Sequence, residues 1–213
     1  MADKIVVIGG GGHAMDVIST IRKNNGYEII GYTDLFDKGK LLGVNYLGTD
    51  DILEDILKEY KNCNAAIGFG NIEISNRRQL IFDKLKKMGF NLPPIISSNA
   101  IINEEVFIDE GSIVMDGAII NVYSKIGKCA IINFGAIIGH NSIIGDFVHV
   151  SGGAIIAGGV DVGANCVVGI GARIIQGKKI VSDCLLGAGS VTIKDILKPG
   201  TYFGVPSRRM NIE

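Results

Sequence analysis

The chain has 213 residues, 47% of them apolar, enough for two modest domains with packed cores. Its 21 basic and 22 acidic side chains leave a formal net charge of −1, which indicates no nucleic-acid surface. No cationic, apolar leader opens the sequence and no unbroken apolar run reaches about 18 residues, so neither export nor membrane spanning is expected and the cytoplasm is the default.

Lys4 to Gly9 is a short apolar run, of the length expected for a strand buried on both faces. Gly10 to Gly12 bend the chain, and from His13 to Asn24 the residues Ala14, Val17, Ile18 and Ile21 recur at helical spacing, with Asn25-Gly26 as the stop. Glu28 to Thr33 reads as a second strand ending at Asp34, and Leu35 to Tyr46 as a loop. A helix over Thr49 to Tyr60 capped by Thr49, a strand over Asn64 to Ile67 and a helix over Ile72 to Met88 follow. Strands alternating with helices imply a small parallel sheet with crossover helices, an α/β Rossmann-like domain over residues 1–95.

From Asn99 to Lys194 the chain divides into sixteen consecutive six-residue words without insertion. The fourth letter is aliphatic in the first fifteen, from Ile102 to Leu186, and only Thr192 breaks the run. The second letter is mostly Ala, Ser, Val or Cys, and Gly often opens or closes a word, so each word reads as a short strand and a tight corner. This predicts an all-β parallel β-helix over 99–194, followed by a tail over 195–213 that carries Gly204-Val205-Pro206 and Arg208-Arg209. The four cysteines, Cys63, Cys129, Cys166 and Cys184, lack CxxC spacing and are read as packing residues; Cys166 and Cys184 fall eighteen apart at the inward second letter.

The segment Gly9 to Ala14 places glycines between a strand and a helix start. It is either a tight turn or a phosphate cradle, in which backbone N–H groups at the helix terminus favour an anion. It also fits a loose dinucleotide fingerprint, with Asp34 about twenty residues on. A nicotinamide cofactor would need a substrate domain that a solenoid does not offer, so a nucleotide or nucleotide sugar fits better.

Three histidines are present. If three words make one triangular turn, residues eighteen apart stack at about 4.8 Å. Gly158 then lies over His140, with its N–H placed as an oxyanion donor. His140 and His149 are nine residues apart, half a turn, and face different sides of one prism, whereas Asn133 and His149 share a face. A site holding all three requires two prisms side by side. A homo-oligomer is therefore expected, most simply a trimer with sites at its interfaces.

The words resemble the left-handed β-helix of the hexapeptide-repeat acyltransferases, and Gly204-Val205-Pro206 is similar to the close of many such chains. With Gly11-Gly12-His13 after the first strand, the chain resembles the sugar O/N-acyltransferases. These include the sialic acid O-acetyltransferases and, closer still, the bacillosamine-pathway enzymes that acetylate the 4-amino group of a UDP-linked amino sugar. The most specific stretch runs from Asn133 to Gly158 as N-x6-H-x8-H-x8-G. The resemblance implies that His140 is the general base toward the attacking amine, that Asn133 helps orient the substrates, and that Gly158 stabilises the oxyanion. It also implies that His149, Gly158, Ile170 and Ala188 contact acetyl-CoA, and that Gly11, Gly12, His13, Asp34, Leu35 and Gly68 hold the nucleotide sugar. Arg208 and Arg209 are either partners of CoA phosphates or a solvated tail.

Two positions depart from the family pattern. Relatives usually carry Asp or Glu directly after the catalytic histidine, which raises its basicity; here the residue is Asn141, with Asp146 as a possible substitute carboxylate. Leu35 replaces a frequent second acid at the sugar-domain site.

The sequence therefore predicts an acetyl-CoA-dependent N-acetyltransferase acting on the 4-amino group of a UDP- or dTDP-linked 4-amino-4,6-dideoxy sugar, in surface glycan assembly, without a metal. An O-acetyltransferase of sialic acid or a related sugar, and a non-catalytic sugar-binding solenoid, are the alternatives. A γ-type carbonic anhydrase is disfavoured because its zinc needs three histidines and the hexads supply two.

Overall fold

In the computed structural model, which describes residues 2–24 and 26–210, the chain opens with β1 (Asp3–Ile8), α1 (Gly12–Asn24) and β2 (Tyr27–Thr33). Asn25, half of the expected helix stop, lies outside the described residues. Then come β3 (Tyr46–Gly48), a short 3-10 turn (Asp50–Ile52), α2 (Leu53–Glu59), β4 (Asn64–Ile67) and α3 (Arg77–Met88). The strands form a parallel sheet in the order β3-β2-β1-β4. β1 is central and its Ile5, Val6 and Val7 are wholly buried, which is why it reads as an unbroken apolar run.

Two elements differ from the sequence expectation. The expected loop up to Tyr46 ends in β3, which pairs with β2 through Tyr32 and Tyr46. The third helix starts at Arg77 rather than Ile72, because the preceding loop is held in a turn of its own. There Asn71 Nδ2 donates to Ser75 O, the Arg77 N–H donates to Ser75 Oγ, and Ile72 is 90% exposed. Apolar letters at helical spacing do not make a helix when the backbone has other partners.

The remainder is a prism of short parallel strands stacked in three ladders. One face carries Ile113–Val114, Ile131–Ile132, His149–Val150 and Val167–Val168; the second carries Ile119–Ile120, Ile137–Ile138 and Ile155–Ile156; the third carries Lys125–Ile126 and Ile143–Ile144. Register runs in eighteens, as in Ile131 opposite His149 and Ile137 opposite Ile155. Pairing begins with Ile95 on Ile113, ahead of the first word, and continues past Lys194 with Gly200–Phe203 on Cys184–Leu186.

The fourth letters fill the axis, Ile120, Ile126, Ile132 and Ile138 each being wholly buried, at roughly 2 kcal/mol of transfer free energy apiece. At the second letter the buried Ser112, Ser124 and Ser142 donate to Gly127 O, Gly139 O and Ala157 O of the next side, and Cys166 Sγ makes the same contact with Val181 O. Thr192, the exception at the fourth letter, is buried where its hydroxyl lies 3.2 Å from Ser207 Oγ in the tail. From Glu105 to Gly189 the first letter turns the corner in the left-handed region, so that Gly135 (φ 63°) and Asn141 (φ 55°) occupy equivalent places.

The first face is covered by the α/β domain. α1 packs on Ile95, Ile113 and Met115, and Phe82 of α3 joins Cys129 and Phe147. Ion pairs Lys23–Asp116 and Lys86–Glu110 close the rim of the junction.

Candidate active site

The corner after the second face brings His140, Asn141 and Gly158 together. His140 is exposed, and its Nδ1–H donates to Asn141 Oδ1 at 2.9 Å, which in the neutral ring makes Nε2 the acceptor. The left-handed turn at Asn141 folds its own carboxamide back onto the ring, and Asn is among the few side chains that tolerate that backbone. One coil above, a Cβ on Gly158 would stand 2.5 Å from His140 Nε2. The flanking N–H groups of Ala157 and Gly159 are taken by Ile174 O and His140 O, whereas that of Gly158 has no acceptor among the described residues. Asp146 is not a substitute carboxylate: it sits at another corner, where its Oδ1 accepts from the Lys128 N–H.

A second cluster lies where the two domains meet. His149 is 8% exposed; its Nδ1–H donates to Asn71 O at 2.6 Å and its Nε2 accepts from Asn133 Nδ2 at 3.2 Å. Both ring nitrogens are thus engaged within the chain. His13, at the start of α1, lies with its ring centre 6.4 Å from that of His149, and its Nε2 is buried without a partner. Burial, and then the charge of Arg78, push His13 down to about 3. His149 is likewise lowered by burial, although its bond to Asn71 opposes the shift.

Sequence reasoning missed Arg78, Asn71 and Phe69. Arg78 is 1% exposed and donates to Phe69 O and Cys129 O, so it straps the loop after β4 to the solenoid. Its helical setting gave no signal, since both partners are main-chain carbonyls.

The third group lies over the carboxyl ends of the sheet, where α/β domains bind ligands. A cleft of about 410 Å³ is lined by Gly9, Asp34, Leu35, Asp50, Phe69 and Arg77, among others. Asp34 Oδ2 accepts from the Gly10 N–H at 2.7 Å and its Oδ1 from the Phe36 N–H at 3.1 Å, so this carboxylate shapes the loop as well as facing the cleft. Leu35 is 72% exposed there. Nothing lies within 4 Å of the missing Cβ atoms of Gly11 and Gly12, which leaves open space before the start of α1. Gly68 serves packing: a Cβ would reach 2.8 Å from Val7 Cγ1 and 3.0 Å from Ala14 Cβ.

Ile170 and Ala188 are stacked at the corner between the first and second faces, linked by the bond from the Gly189 N–H to Ile170 O. They continue upward from Phe134 and Gly152 along a ridge away from His140. Within one chain, then, Asn133, His149 and His13 meet, as do His140, Asn141 and Gly158; the two sets lie on either side of the second face. At the far end of the prism, Lys194, Tyr202, Ser207, Arg208 and Arg209 line a cavity of about 310 Å³. Among the described residues no helix is long and apolar enough to cross a membrane.

An α/β domain lying on a hexad solenoid, with a histidine at a corner beneath a free backbone N–H, has the architecture of an acyltransferase. The profile of the PglD N-terminal domain matches residues 4–85. Perosamine N-acetyltransferase from Caulobacter crescentus, solved as a mutant with CoA and GDP-perosamine, is 33% identical over 100% of this chain and 99% of that one, with a TM-score of 0.93. The acetyltransferase domain of PglB from Neisseria gonorrhoeae, in complex with acetyl coenzyme A, is 29% identical over 99% and 100%, with a TM-score of 0.89. WeeI from Acinetobacter baumannii is 25% identical over 98% and 100%, with a TM-score of 0.87. No curated protein matches. The chain belongs to the hexapeptide-repeat sugar acyltransferase family, and it is an acetyltransferase.

Proposed function

We propose that this protein transfers the acetyl group of acetyl-CoA to the 4-amino group of a nucleotide-linked 4-amino-4,6-dideoxy sugar, in cytoplasmic glycan assembly. The observation that carries the reading is the pairing of His140 Nε2 with the unpartnered N–H of Gly158. The neutral amine attacks the thioester carbonyl, and the oxyanion that forms takes the Gly158 N–H. His140 Nε2 accepts the proton lost by the amine, and collapse expels the CoA thiolate, which takes a proton in turn. Asn141 holds the imidazole by charge-neutral hydrogen bonding. No covalent enzyme intermediate is required, since a base, an oxyanion donor and alignment suffice.

Asn133 orients the acceptor with His149 behind it, while Ile170 and Ala188 line the CoA arm. The loop of Gly11, Gly12 and His13 takes the diphosphate, and the cleft of Asp34 and Leu35 the nucleoside, with Gly68 making room for α1. That the histidine corner and the Asn133 ridge lie on opposite edges of the second face supports a complete site between neighbouring copies of a homotrimer. The sequence points to UDP or dTDP; the Caulobacter relative, solved with GDP-perosamine, adds GDP to the candidates.

The test is thiol release from acetyl-CoA with UDP-, dTDP- and GDP-linked 4-amino sugars, with sialic acids as controls. Turnover on a nucleotide-linked amino sugar is expected. Activity confined to sialic acids would replace the reading with O-acetylation.

A further inference from the structure

Arg78 is an ionised side chain with no carboxylate partner among the described residues, buried to 1% exposure at the junction of the two domains. A lone buried charge is costly and persists where the surrounding structure uses it. Its two recorded bonds go to main-chain oxygens on opposite sides of the junction, Phe69 O in the loop after β4 and Cys129 O in the solenoid, and its Nε has no partner. Two residues past Phe69, the same loop presents Asn71 O to His149 Nδ1 at 2.6 Å, with Gly70 against the imidazole.

We propose that Arg78 is a positioning residue for the acceptor site: by clamping the Phe69–Asn71 loop to the solenoid, it fixes the tautomer in which His149 donates from Nδ1 and accepts from Asn133 at Nε2. The inference rests on the reading of Asn133 and His149 as acceptor-site residues. With the tautomer fixed, the Asn133 carboxamide has one orientation. One of its N–H bonds goes to His149, and its Oδ1 accepts from the Phe134 N–H at 2.8 Å. What remains for a ligand is one N–H donor and one oxygen lone pair in set directions. A protonated His149 would present a donor to the Asn133 amide, which would have to turn over and exchange those two groups.

The electrostatics agree with the geometry. Arg78 disfavours a proton on His149 from the α3 side, and His13 faces it from α1, itself lowered by burial and by Arg78. Among the described residues these two are the titratable groups that act on His149, and neither is a carboxylate.

The experiment is imidazole nitrogen NMR on the full-length protein between pH 5 and 8, with steady-state kinetics, for wild type, Arg78→Lys and Arg78→Met. The wild type is expected to show His149 as the Nδ1–H tautomer without titrating. Arg78→Met, by releasing the Phe69–Asn71 loop and admitting water to the ring, should let His149 titrate and raise KM for the nucleotide sugar about tenfold at low pH, with a smaller change in kcat. Arg78→Lys, which keeps the charge, should restore the flat pH profile. Should Arg78→Met fail to fold, the wild-type and lysine spectra still decide. A wild-type His149 protonated at Nε2, or titrating near neutrality beside an intact Arg78, overturns the proposal. The spectra need no turnover, so loss of the acetyl-transfer reading would be seen separately, as absent thiol release by the wild type.

Discussion

Gly158 stands directly over His140: a Cβ on the glycine would sit 2.5 Å from Nε2 of the imidazole. The absence of a side chain keeps open the space beside Nε2, where the proposed mechanism puts the thioester carbonyl. Gly158→Ala keeps the N–H but sets a methyl against the ring, and by displacing the base from the reacting carbonyl it should lower kcat on the order of a hundredfold. Its backbone is not left-handed, so the thermal midpoint should hold. An alanine variant with wild-type kcat would contradict the placing of the reacting carbonyl between His140 and Gly158.

His140 is exposed and its recorded side-chain bond is to Asn141. His140→Ala should keep its fold and its affinity for nucleotide sugar while losing on the order of 10² to 10⁴ in kcat, the usual worth of a general base. Calorimetric titration beside the rate assay checks both halves. Unchanged turnover would leave the solenoid as a binding module.

Asn141 orients the imidazole without supplying charge. In Asn141→Asp the carboxylate would stabilise the imidazolium, and aspartate also tolerates the left-handed corner at φ 55°. The acid limb of the kcat/KM profile should move to higher pH, because the base must still lose its proton to act. A profile that does not move would mean that proton removal from the acceptor does not use this ring.

His13 is held down to about 3 by burial and by Arg78. Its proton is therefore bound by the unfolded chain and refused by the folded one between about pH 6.5 and 3. The linkage costs nothing above pH 6.5 and weakens the fold as pH falls, by roughly 1 kcal/mol per unit. Denaturant titrations from pH 7 to pH 4.5 should show this loss, and His13→Asn should lessen its slope. An equal slope in the variant would contradict the assignment.

The solenoid was legible because its core letters repeat. Ile120, Ile138 and Ile156 are buried by the coil itself, whatever else the chain does. Its outer letters were not legible, because Ile113 and Ile131 are buried and Ile101 is 54% exposed with the same side chain at the same third letter. Docking of α1 on Ile113 and of the loop at Gly70 on Ile131 separates them. The column of His140 and Gly158 followed from counting, whereas the meeting of His13 with His149 depended on two domains coming together across a separation of 136 positions. Arg78 was invisible because a main-chain carbonyl leaves no mark in a sequence.

The most direct test of an acetyl-transfer site shared between copies of this chain is complementation. His140→Ala protein and Asn133→Ala/His149→Ala protein, each of low activity alone, are unfolded together, refolded and assayed for thiol release. Sites that join the intact His140 of one copy to the intact Asn133 and His149 of the next should return about a quarter of wild-type activity by random assortment. No recovery from well-folded mixed oligomers, or full activity in a sedimenting monomer, would contradict it.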